Sequence, residues 1–240
     1  MELSIKMFAD GADLGAIRDF SQDPRVGGFT TNPTLMRKAG VTDYVAFARE
    51  ARTLVDPLPI SFEVFSDDLL TMREQALVIS SWGSNVYVKV PITNTRGEST
   101  TSLIHDLSLD GVKVNVTAVM TLDQVHSVAE ALNTATPSVV SVFAGRIADA
   151  GIDPIPTMVE SKRILSNLPR VELLWASPRE ILNVVQANDC GCDIITMTSE
   201  LWAKVANLGK DLATFSLDTV KMFHRDAASS EFTLGPLSKS

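Results

Sequence analysis

The feature that most narrows what this chain can fold into is an alternation. Short apolar runs at 5–8, 28–31, 60–65, 86–91, 112–118, 138–143, 172–175 and 193–197 are each followed by a segment with helical spacing. The segments at 13–20, 42–54, 67–82, 99–109, 122–133, 156–168, 178–187 and 199–208 read as helices, with a short one at 35–38 and a further one at 217–225. Asp67 is the expected cap of the third long helix. Residues 144–155, with Gly145 and Gly151, read as a loop. About eight β–α pairs without a linker predict an α/β fold, a single (β/α)8 TIM barrel with an extra C-terminal helix over 1–226. A polar tail follows at 227–240. A doubly wound open sheet is the alternative, but it usually has a Gly-rich phosphate turn after its first strand, which Gly11-Ala12-Asp13-Leu14 matches poorly.

Composition removes several function classes. The 240 residues are 45% hydrophobic, which suits a full core and not a disordered chain. A formal net charge of −8 and the lack of a basic stripe argue against nucleic acid, while a local cationic pocket for a small anion stays open. No apolar run is long enough to span a bilayer, and the acidic start Met1-Glu2 lacks a signal peptide's apolar core, so a cytoplasmic protein is expected. The two cysteines, Cys190 and Cys192, are too few for a zinc site and too close for an easy disulfide, so reduced thiols are expected.

Barrel active sites form at the C-terminal ends of the strands. Polar residues collect there: Asp10, Thr31 with Asn32, Glu63, Lys89, Asn115 with Thr117, Ser141, Arg146, and Ser177 with Arg179. Lys89 stands out because it interrupts Val86-Tyr87-Val88-Lys89-Val90, a run suited to a strand covered on both faces. Burial disfavours the ammonium, and a neutral amine is a nucleophile whose natural partner is a carbonyl. The plainer reading is a lysine that snorkels or pairs with a carboxylate. Lys113 also interrupts an apolar run, but just after Gly111, at the entering end, which a barrel uses for stability. Glu63, flanked by Phe62, Val64 and Phe65, is a carboxylate that needs a buried partner. Asp10 and Asn32 also read as caps or turn residues, and Arg179 as a solvent-facing residue of a first helical turn. Amine, proton-moving carboxylate and water-orienting carboxylate together are what Schiff-base chemistry requires. A metal-dependent aldolase would want converging ligands, whereas His105, His126 and His224 all fall in expected helices and read as surface residues.

Four stretches resemble the transaldolase family: Gly28-Phe29-Thr30-Thr31-Asn32-Pro33-Thr34-Leu35-Met36, the run around Lys89, Asn115 to Thr121, and Ser141 to Asp149. The resemblance extends over about 8–208. It implies a (β/α)8 barrel, Lys89 as Schiff-base lysine, and Asp10 as acid/base at the substrate hydroxyl. It makes Glu63 and Thr117 holders of the proton-shuttling water. Asn32 (with Thr31 beside it), Asn115 and Ser141 would bind the dihydroxyacetone part of the donor, and Arg146 its phosphate. No cofactor or metal is implied. Relatives resembling fructose 6-phosphate aldolase have Gln and Tyr where this chain has Glu63 and Phe143, so the pattern matches the transferase branch; an aldolase using free dihydroxyacetone, or an unusual sugar, is the alternative. At the seventh strand the direct register gives the phosphate positions Ser177 and Arg179, with Glu180 where Asn is usual. Anchored on the next helix, those positions would fall on Leu174 and Ala176. A non-catalytic barrel has no use for the Asp10, Glu63, Lys89 and Thr117 set. The expected partners are sugar phosphates, and short-chain relatives form pentamers and decamers, which makes a homo-oligomer the expected assembly.

Overall fold

A computed structural model describes residues 3–230 and Gly235. Eight parallel strands close in sequence order into a barrel: β1 Lys6–Asp10, β2 Val26–Thr30, β3 Ile60–Glu63, β4 Val86–Pro91, β5 Val114–Val119, β6 Ser138–Val142, β7 Val171–Trp175 and β8 Ile194–Thr198. The helices are α1 Leu14–Ser21, α2 Pro33–Lys38, α3 Tyr44–Val55, α4 Leu69–Ser80, α5 Thr101–Leu109, α6 Leu122–Ala131, α7 Ala144–Asp149, α8 Ile155–Ile164, α9 Leu182–Asp189, α10 Ser199–Trp202 and α11 Leu212–Ser229. The (β/α)8 barrel with a C-terminal helix is thus the fold. Residues up to Ala203 form one compact unit and those from Lys204 another, which contains α11. Beyond Ser230, the expected polar tail lies outside the described residues except for Gly235.

The helices start where short polar side chains satisfy otherwise unpaired N–H groups. Asp13, Asn32, Asp43, Asp68 and Asp211 each accept from a backbone N–H three residues on. Thr121 and Gln124 form a reciprocal capping box at α6. Asp68, not Asp67, caps α4; Asp67 instead accepts from the backbone N–H and hydroxyl of Thr95, fastening the loop after β4. Further boundaries differ from the sequence expectation, and the helix expected at 199–208 is only the short α10, ending at Trp202, followed by a 3-10 turn at Val205–Asn207. The stretch after β6 contains α7, α9 starts at Leu182 and not beside Pro178, and α11 is longer at both ends than 217–225.

Alternation divides each strand between two layers. Phe8, Val139, Leu174, Ala176 and Ile194 cluster as a core with Tyr87 and Phe143 packed against it. On β3, Phe62 is fully buried and meets Tyr44 and Trp82 edge-on, with ring centroids 6.5 and 5.6 Å away. Lys113 lies just before β5 and donates to the Ser84 carbonyl. Cys190 and Cys192 are both buried free thiols, and burial pushes the Cys192 thiol up to about 12. All three histidines are exposed on helices.

Because Phe62 is enclosed with no solvent on either side, Phe62→Ala is expected to destabilise the fold by about 3–5 kcal/mol. Urea unfolding followed by circular dichroism measures this; a loss under about 1 kcal/mol would mean that the site collapses around the truncated side chain.

Candidate active site

Three consecutive strands carry the centre of the site in register. Glu63 is the register partner of Lys89, and Lys89 of Asn115. Asp10, at the end of β1, is the partner of Thr30 on one side and Thr198 on the other. A cavity of about 580 Å³ opens here; its lining includes Asp10, Thr30, Asn32, Glu63, Lys89, Thr117, Ser141, Phe143, Arg146, Ser177 and Arg179, while Asn115 stands behind Ser141 and does not line it.

Lys89 is 7% exposed. Its Nζ donates to the Thr31 carbonyl at 2.9 Å and lies 3.0 Å from Glu63 Oε2. The lysine is therefore both buried and paired, and the carboxylate offsets part of the cost of removing a cation from water. The Tyr44 hydroxyl donates to the Glu63 backbone carbonyl at 2.7 Å, which ties the end of β3 to α3. Burial, followed by the Glu63 charge, pushes the Tyr44 phenol up.

Asp10 is held by neutral donors. The Thr30 hydroxyl donates to its Oδ1 at 2.8 Å, Thr196 contacts that hydroxyl in turn, and Asn32 Nδ2 reaches Oδ2 at 3.4 Å. Burial raises the Asp10 carboxyl above its ordinary value; the attraction of Lys89 opposes the rise without cancelling it. Asn32 serves twice, since its Oδ1 also caps α2 by accepting from Leu35 N–H. Deeper in the barrel, Ser141 donates to Asn115 Oδ1 at 2.6 Å, and Asn115 Nδ2 donates to Ser61 Oγ at 3.0 Å. Each polar atom of this buried amide is thereby satisfied.

Thr31 departs from the sequence expectation. Its hydroxyl donates to the Ser61 carbonyl and does not line the cavity; strand alternation gives the inward place to Thr30. The contribution of Thr31 to the site is its carbonyl. Thr30, Ser61 and Thr196 were missed as site residues, and alternation counted from Asn32, Glu63 and Thr198 could have found the first two from their own strands and the third from β8. At the seventh strand, Leu174 and Ala176 point inward as apolar wall, while Ser177 and Arg179 reach the cavity from the loop. Both candidate pairs thus border the cavity, and of the two only Ser177 and Arg179 carry polar side chains. Among the described residues, two other than glycine have a left-handed backbone, Ala118 at φ 60° and Ser177 at φ 61°, and both border the cavity. Such conformations cost of order 1–3 kcal/mol each and concentrate at functional sites.

A sequence profile for transaldolase/fructose-6-phosphate aldolase matches residues 7–234. A probable transaldolase 2 from Listeria monocytogenes is 33% identical over 202 residues, covering 84% of this chain and 88% of the relative. A probable transaldolase from Brucella anthropi is 33% identical over 221 residues, covering 90% and 97%. Among solved structures, a putative phosphonomutase from Burkholderia cenocepacia superposes with a TM-score of 0.56 at 11% identity, covering 90% of this chain and 93% of that one. That likeness is one of fold alone.

The Asp10 environment sets a pH dependence. Its carboxyl is raised from 3.8, so the folded protein keeps that proton to a higher pH than the unfolded chain does. The associated stability is complete below 3.8 and is lost as pH rises through the folded value. Asp10→Asn, which removes the charge, is expected to raise the melting temperature at neutral pH and to give a smaller gain in acid. Thermal unfolding across pH checks this; a gain that grows toward low pH would contradict it.

Proposed function

The chain belongs to the transaldolase/fructose-6-phosphate aldolase family, and on that premise we propose that it transfers a dihydroxyacetone unit between sugar phosphates through a Schiff base on Lys89. The observation that carries this reading is the Lys89 amine, buried in a polar cavity, 3.0 Å from Glu63 and facing a second carboxylate of different character at Asp10. A binding-only cavity does not need a desolvated amine between two carboxylates.

In the proposed sequence, the amine gives its proton to Glu63 and adds to the ketose carbonyl. The carbinolamine loses water, leaving an iminium on Lys89. Asp10 takes the proton of the substrate hydroxyl beyond the bond to be cleaved. That oxygen becomes the carbonyl of the departing aldehyde, and the electron pair of the broken C–C bond moves into the iminium as an enamine. An aldose then enters, the enamine attacks its carbonyl carbon, and Asp10 returns the proton. Water held between Glu63 and Thr117 hydrolyses the new iminium and frees Lys89. Asn32, Asn115 and Ser141 hold the dihydroxyacetone part, and Arg146 with Ser177 and Arg179 receives the phosphate, for which guanidinium forks suit the geometry. The reaction needs no cofactor.

Glu63 and Phe143 support the transferase over release of free dihydroxyacetone. Phe143 lines the cavity without a hydroxyl to activate water against the imine. Fructose 6-phosphate or sedoheptulose 7-phosphate is the donor type in this reading, the pentose phosphate pathway its setting, the cytoplasm its place and a homo-oligomer its assembly.

Borohydride reduction with fructose 6-phosphate is expected to add a reduced adduct to the peptide bearing Lys89, and Lys89→Met to abolish it. Mass spectrometry reads both. Sugar cleavage should depend on an added aldose acceptor; equal rates with and without acceptor would replace the transferase by an aldolase.

A further inference from the structure

The short helix α7 and the loop after β7 are fastened together at three points that the Schiff-base steps leave unused. Gly145 N–H donates to the Ala176 carbonyl at 3.3 Å. The Ser177 carbonyl occupies the space where a side chain at Gly145 would begin: a Cβ there would lie 1.6 Å from Ser177 O and 2.6 Å from its carbonyl carbon. Gly145 is thus demanded by close approach of backbone, and the loop it admits is the one in which Ser177 has its left-handed φ. At the far end of α7, Asp149 receives Arg179 through Nε at 2.9 Å and through Nη2, a bidentate pair.

That pair is exposed, with 43% of the Arg179 and 45% of the Asp149 side chain accessible, so it adds little to stability. Its consequence is geometric. A guanidinium has five N–H donors. Asp149 engages the Nε and Nη2 edge, which leaves the Nη1 side of a fixed fork. Arg146 borders the same cavity and, among the described residues, has no carboxylate within ion-pair distance.

We propose that Gly145 and Asp149 are positioning residues of an anion subsite, holding the β7 loop and Arg179 so that Arg146, Ser177 and Arg179 meet one sugar phosphate together. This rests on the reading of that cavity end as the phosphate site. It gives Asp149 a role opposite to its charge. A carboxylate near a phosphate repels it, so removing the charge alone would tighten binding; removing an organiser of Arg179 loosens it.

The test titrates the full chain with inorganic phosphate by calorimetry, comparing wild type with Asp149→Asn, and in parallel traps dihydroxyacetone on Lys89 with borohydride. Dihydroxyacetone carries no phosphate, so it reports the amine alone. D149N is expected to weaken phosphate about tenfold, the scale of an ordered charge-assisted hydrogen bond. Dihydroxyacetone trapping should stay within about twofold of wild type. Gly145→Ala, where a native melting transition is retained, should show the same selective loss; D149N carries the test where it is not. Phosphate binding in D149N as tight as or tighter than wild type overturns the proposal, as does an equal loss of phosphate binding and trapping, or no phosphate binding to the wild type. Failure to trap dihydroxyacetone on the wild type would instead overturn the Schiff-base reading and leave the phosphate comparison standing.

Discussion

A cation buried inside a closed barrel is the constraint on which the rest of this structure depends. Removing an ammonium from water costs several kcal/mol in a real protein. Lys89 meets that cost with the Glu63 carboxylate at 3.0 Å and the Thr31 carbonyl at 2.9 Å. Glu63 sits on the adjacent β3 and Thr31 just after β2, one strand further on, so the pairing exists only because β2, β3 and β4 lie in one register. A slip of a single residue would turn Lys89 into the apolar layer beneath the helices and leave Glu63 without its cation. Closure of the barrel removes the edges at which such slips start.

The same closure gives two carboxylates two environments within one cavity. Glu63 touches the amine. Asp10 is held by the hydroxyl of Thr30 and the amide of Asn32, and burial pushes it upward. Carboxylates made unlike by their surroundings can take unlike roles, one in contact with the cation and one exchanging a proton with substrate. The cavity is also polarised along its length. The polar groups of Asn115, Ser61 and Ser141 satisfy one another at depth, while Arg146 and Arg179 stand at the exposed mouth on α7 and the β7 loop.

Much of this was legible in the chain itself, because the barrel repeats one simple pattern. Apolar runs spaced by helical segments fix the topology, and the position of Lys89 at the exit of its run, against Lys113 at the entrance of the next, follows from strand direction. What escaped has local causes. Thr30 and Thr31 are chemically identical, and only the exact phase of β2 decides which hydroxyl enters the cavity. Asp67 and Asp68 compete for one cap, and the choice falls to Asp68 because Asp67 is taken by Thr95, a long-range contact. The helix α7 was hidden because Gly145 is a poor helix former in isolation; it is there for the Ser177 backbone that crosses it. The seventh-strand register stayed open in the sequence because both pairs, Leu174 with Ala176 and Ser177 with Arg179, lie close enough to the strand end to border one cavity; the first pair contributes apolar wall and the second polar groups.

A crystal structure of the protein reduced by borohydride in the presence of fructose 6-phosphate would test the role of Lys89 at atomic detail. The expected result is a covalent bond from Lys89 Nζ to the former carbonyl carbon of the sugar, a sugar hydroxyl beside Asp10, and the phosphate at the β6–β7 side of the mouth. A sugar bound without a bond to Lys89, or attached with its phosphate on the opposite side of the barrel, would contradict it.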